Sequence, residues 1–130
     1  MNSPSVFLSY AHDDKPWAEA FAAALRQQGV SLWFDEWDKL GDKPSEALDA
    51  ALRRSETLVV VLDHLSVEKP ALFFELGAAL AMKKRIIPIV SEGVERSKIP
   101  VPLLRVRSLV KKDPQETAEE VARAVSAIAA

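Results

Sequence analysis

TLVVVLDHLSVEKPALFFELGAALAMKKRIIPIV, residues 57–90, holds two kinds of hydrophobic pattern in one stretch. Its ends, TLVVVL and RIIPIV, are short runs rich in β-branched residues, the habit of strands buried on both faces of a parallel sheet. Between them every residue from Pro70 to Met82 is apolar or glycine except Glu75. The basic Lys83, Lys84 and Arg85 that follow suit the negative end of a helix. Strand, helix and strand in that order predict a βαβ unit.

The same alternation runs outward in both directions. SVFLS (5–9) and VSLWF (30–34) repeat the strand pattern, and RVRSLV (105–110) alternates in the manner of an edge strand. Trp17, Phe21, Ala24 and Leu25 form a stripe at helical spacing that Gly29 can terminate. Ser45 can cap a helix carrying Leu48, Ala51 and Leu52. Residues 114–130 read as a last helix with Pro114 in its first turn. These elements predict a doubly wound α/β domain: a flavodoxin-like three-layer sandwich with helices on both faces of a five-stranded parallel sheet, in the order 2-1-3-4-5. Pro88 inside RIIPIV requires its missing N–H to face a weakly paired side. SEGVERSKIPVP (91–102) has no period and two prolines, and reads as a surface loop. With no repeat and no linker, residues 1–130 are expected to form a single domain.

Composition narrows the function. The 130 residues suffice for one real core, and 48% hydrophobic with 28% charged residues is ordinary for a soluble globular chain. A net charge of -2 gives no support to a nucleic-acid-binding surface. The absence of cysteine excludes disulfides and thiol chemistry. The start lacks a signal-peptide pattern and no apolar run is long enough to span a bilayer, so the expected location is cytoplasmic.

In a sheet of this order, ligands bind beyond the carboxyl ends of the strands, where strand order reverses. The loops there are YAHDDK (10–15), DEWDKLGDKP (35–44) and DHLSVEK (63–69). They place Tyr10, His12, Asp13, Asp14, Asp35, Trp37, Asp63 and His64 on one rim. Taken singly, each suits a solvated loop. Neither GxGxxG nor GxxxxGK[ST] is present, so phosphate loops of those types are unsupported. Glu75 has two readings. It is a structural partner for Lys83 or a loop arginine, or it is a carboxylate held at the wall of a pocket.

FLSYAHDDKPWAEAFAAALRQQGVSLWFDEW (7–37) and ELGAALAMKKRIIPIV (75–90) together resemble a TIR (Toll/interleukin receptor) domain of the bacterial type, from Val6 to about Leu104. The resemblance implies the flavodoxin-like fold and cleavage of NAD+ at the nicotinamide–ribose bond. It makes Glu75 the catalytic residue and places Tyr10, Ala11, His12, Asp35, Trp37, Lys39 and Leu40 around the substrate. Neither metal nor cofactor is implied, because NAD+ is the substrate and nicotinamide is already a cationic leaving group. A carboxylate beside the oxocarbenium-like ribose parallels glycoside hydrolysis. The implied partners are other TIR domains, as a homo-oligomer or filament, and a sensor domain or partner protein. No nucleic acid or membrane is implied, and the setting is bacterial signalling or defence. Two positions depart from the common pattern: Ala71 stands where many active members have Trp, and Ala11 and His12 where Arg or Lys is frequent.

Two alternatives accompany this reading. One is a TIR domain that only binds other TIR domains. The other is a response-regulator receiver, with Asp63, Ser91 and Lys111 after the third, fourth and fifth strands and Asp13 and Asp14 as a magnesium pair. Against the receiver, the step SYAH is expected to carry the acidic pair into the first helix and away from Asp63. Lys111, followed by Lys112 and Asp113, reads as a solvated run. A receiver also accounts for neither Glu75 nor WFDEW.

Overall fold

Each apolar run becomes a strand, and all the strands are parallel. The structure, a computed structural model, describes residues 5–10, 14–36, 52–63 and 70–129, with only the backbone for 34–36, 70–75 and 127–129. The strands are β1 (Ser5–Tyr10), β2 (Ser31–Glu36), β3 (Thr57–Leu62), β4 (Arg85–Val90) and β5 (Leu109–Val110). The helices are α1 (Lys15–Gln27), α2 (Pro70–Ala81), the short α3 (Val101–Leu104) and α4 (Pro114–Ala129). The sheet order is β2-β1-β3-β4-β5, as the sequence predicts.

Side chains alternate across a strand, so each central strand feeds two cores. Val6, Leu8, Val59, Val61, Ile87 and Ile89 face α1 and α4, where they meet Phe21, Leu25, Val121 and Val125. Phe7, Leu58, Val60, Leu62 and Ile86 face the other way, under Leu76 and Ala79 of α2 and Leu103 of α3. Full burial of a side chain such as Leu or Phe contributes about 1.5–3 kcal/mol, so these two layers are the main source of cohesion.

Several expectations need correction. β2 takes the edge position that the predicted order gives it, but within its run, read as buried on both faces, Trp33 is 40% exposed, its ring centroid 5.1 Å from that of Phe7. Of RVRSLV only Leu109 and Val110 pair, with Ile89 and Val90. The expected loop 91–102 contains a 3₁₀ turn at Arg96–Lys98, and α3 begins at Val101. A four-residue helix is too short to show a period, and its Pro102 sits where a helix tolerates proline. The apolar pattern of α2 does not mean burial on every side, and its Leu80 is 45% exposed. Ser45, Leu48 and Ala51 lie outside the described residues, while Leu52 is buried at 3% exposure in a helical turn.

Pro88 meets the condition set by its chemistry. Arg85 and Ser91 donate their N–H groups toward β3, to Glu56 and Leu62 carbonyls. Strand period then turns Pro88 outward, toward β5, whose ladder begins only at Ile89. No donor is missed.

Two helices end in the same left-handed closure. Gly29, at φ 85°, follows α1, and the Val30 N–H reaches back to the Leu25 carbonyl. After α2 the left-handed position is Lys83, at φ 58°, and the Lys84 N–H bonds to the Ala79 carbonyl at 2.9 Å. Among the described residues no helix is long and apolar enough to cross a membrane.

Candidate functional site

The carboxyl ends of β1, β3 and β5 converge on Asp14. This residue occupies the N-cap of α1, where an aspartate ordinarily accepts from the first free N–H groups of the helix. Asp14 makes no such bond. Its carboxylate accepts instead from Lys111 Nζ at 3.0 Å, just beyond β5, and it is buried at 6% exposure. Asp63, directly after β3, is near enough to act on the same carboxyl. Two carboxylates can bond only through a shared proton, and Asp14 Oδ2 has no donor of its own. Burial, and then Asp63, push the Asp14 pKa up to about 6, while Lys111 pulls in the opposite direction.

Trp17 completes this corner. Its indole Nε1 donates to the Lys112 carbonyl at 2.8 Å, and its ring stacks on Phe21 at 5.0 Å. Lys111 Nζ lies 5.1 Å from the centroid of the same ring. The first turn of α1 is therefore fastened to the segment between β5 and α4.

This overturns two expectations. Asp14 is not carried away from Asp63, while Asp13, the other member of the acidic pair, lies outside the described residues. Lys111 is an ion-pair partner and not part of a solvated run. The partners stand 97 positions apart in sequence, and only the receiver alternative sets them in one site.

The other expected site residues fall as follows. Tyr10 ends β1 at 3% exposure, within the core layer under α1 and α4. It supports the rim from beneath. Asp35 lies on the neighbouring strand, in register with Ser9, so the ends of β1 and β2 are side by side. Glu75 lies in the first half of α2, the helix that follows β3. Lys83, the structural partner that the sequence also offered for it, lies just beyond the carboxyl end of the same helix. Ala11, His12, Trp37, Lys39 and Leu40 lie outside the described residues. Among the described residues no group of three or more His, Asp or Glu could hold a metal ion. A cavity of about 500 Å³ lies elsewhere, between β4, β5 and α4.

Known proteins add the family. The 2′ cyclic ADP-D-ribose synthase AbTIR of Acinetobacter baumannii is 34% identical over 90 residues, which cover 65% of this chain and 34% of that protein. The 2′ cyclic ADP-D-ribose synthase BtTIR of Bacteroides thetaiotaomicron is 32% identical over 89 residues, covering 64% of this chain and 31% of that protein. The matched part thus spans about a third of these relatives. The crystal structure of the RPS4 and RRS1 TIR domain heterodimer shares the fold, with a TM-score of 0.63, 15% identity, and coverage of 96% of this chain and 97% of that one. A family model described as TIR domain matches residues 6–125, and on that match this chain belongs to the TIR domain family.

Proposed function

We propose that this chain is an NAD+-cleaving TIR domain that breaks the nicotinamide–ribose bond, with Glu75 as its catalytic carboxylate. One observation carries the reading. A lone acidic residue sits in the apolar first half of α2, in a chain similar over 65% of its length to a named 2′ cyclic ADP-D-ribose synthase.

The chemistry follows from the bond. Nicotinamide leaves as a neutral molecule with the bonding electron pair, and C1′ of the ribose becomes an oxocarbenium-like cation. The Glu75 carboxylate stabilises that charge and accepts a hydrogen bond from a ribose hydroxyl. Attack by water, with loss of a proton, gives ADP-ribose. Attack by a hydroxyl of the same molecule, with the same proton loss, gives a cyclic ADP-ribose, and the relatives' names favour this second product. Ala11, His12, Asp35, Trp37, Lys39 and Leu40 form the substrate wall above Tyr10. Trp37 stacks on a planar ring and Lys39 meets phosphate charge. No cofactor takes part. Assembly with other TIR domains through the loop 35–44 completes the pocket, in a cytoplasmic bacterial signalling or defence role switched on by a sensor domain or partner protein.

The test is nicotinamide release from NAD+ by concentrated protein with a crowding agent, followed by chromatography over a range of protein concentrations. Wild type should release nicotinamide with specific activity that rises with concentration. Glu75→Gln should lower the rate by about 10²-fold or more while the circular dichroism spectrum stays native. Equal rates in the two proteins would remove Glu75 from the mechanism. A wild type that stays silent at every concentration would leave a binding-only module.

A further inference from the structure

The opposite edge of the sheet carries a cationic cavity that the proposed chemistry does not use. Arg85 opens β4 and Arg107 lies two residues before β5, so both stand at the amino ends of their strands. Arg123 reaches the same space from α4. The three arginines, with Ile87, Leu109, Glu120 and Ala124, line an open cavity of about 500 Å³.

The short β5 explains the space. It pairs only with Ile89 and Val90, so the first half of β4 has no outer partner. A second cavity of about 300 Å³ opens on the other face of the gap and shares Arg85, Ile87 and Arg107.

The charge there is not cancelled locally. Arg85 donates to the Ala124 carbonyl at 3.0 Å, a neutral acceptor. Glu120, the acidic member of the lining, is bonded at 2.8 Å to Lys112. Among the described residues, Arg107 and Arg123 form no ion pair. Three arginines gathered around one cavity are notable in a chain whose net charge is -2.

An added β-strand is a poor occupant. Pro88 faces this gap without an N–H, so a strand laid along β4 would lose a ladder bond where the ladder should begin. A compact anion fits better, since guanidinium groups bind phosphate through paired donors and the apolar part of the lining accepts the rest of an organic molecule.

We infer that the cavity between β4, β5 and α4 is a binding site for a small organic phosphate, separate from the crevice at the carboxyl rim. ADP is a suitable probe. Calorimetric titration at low salt should give one site on the wild-type chain that weakens as sodium chloride is raised. Arg107→Ala with Arg123→Ala should weaken the affinity about tenfold or more and leave the urea midpoint unchanged, since both side chains are exposed. Lys39→Ala, which removes the phosphate-facing cation of the proposed substrate wall, should bind ADP as wild type does, which separates this site from the proposed catalytic one. Absence of ADP binding would overturn the inference. So would binding that survives the double arginine change, because the ligand would then sit elsewhere.

Discussion

Lys111 Nζ stands 3.0 Å from the Asp14 carboxylate, yet the Asp14 pKa is raised to about 6 from its ordinary 3.8. The ion pair is outweighed by burial and by the second carboxylate at Asp63. Partial burial of a charge costs more than one good contact returns.

The sign of the resulting pH dependence is fixed. From about pH 4 to 6 the folded chain holds a proton that the unfolded chain has already released. This group's contribution to stability therefore falls as pH rises through that window and stays low above it. Asp14→Asn should be neutral or stabilising by on the order of 1 kcal/mol at about pH 7.5, after allowance for screening. At about pH 4 the gain should vanish. Urea denaturation at the two pH values checks this. A clear loss of stability at the higher pH would show that the Lys111 contact dominates.

Matching closures at Gly29 and Lys83 predict opposite responses to glycine and alanine. Lys83→Gly relieves a side chain held at φ 58° and should stabilise by about 0.5–1 kcal/mol. Gly29→Ala should destabilise by about 1 kcal/mol, through backbone strain alone, since an added Cβ would meet no atom within 4 Å. Urea midpoints of the two variants measure both effects, and equal signs would contradict them.

Asp63 should remain unphosphorylated when the protein is treated with acetyl phosphate and magnesium. Geometry does not set the receiver aside, because Asp14, Asp63 and Lys111 do come together. Family membership over residues 6–125 does. Lys111 is also already committed to Asp14 and so is not poised for a phosphoryl group on Asp63. Intact mass measurement decides, and an adduct lost in Asp63→Asn would favour the receiver over the proposed function.

The strands were legible because burial on both faces leaves unbroken apolar runs, and β3 and β4 keep the bounds that their sequence suggests. Sheet order followed from the alternation with helices. β5 was overestimated, since alternating Arg105, Val106 and Arg107 imitate an edge strand that the backbone does not continue. Glu75 stood out because a carboxylate among apolar residues breaks a local pattern. Asp14 and Lys111 entered only through the receiver alternative, since their contact spans 97 positions and forms only across the finished sheet.

The chain's own order of synthesis gives the α1–α4 contact a temporal meaning. β1 is made first but lies between β2 and β3 in the sheet, so the amino-terminal half can begin pairing while the rest is still being translated. Phe21 and Leu25 of α1 share their core layer with Val121 and Val125 of α4, near the end of the chain. Until α4 has been made, the flank of α1 that it covers has no partner from that helix. Docking of α4, with the Trp17 indole bonded to the Lys112 carbonyl, closes that flank, and it can happen only after the five strands have been made.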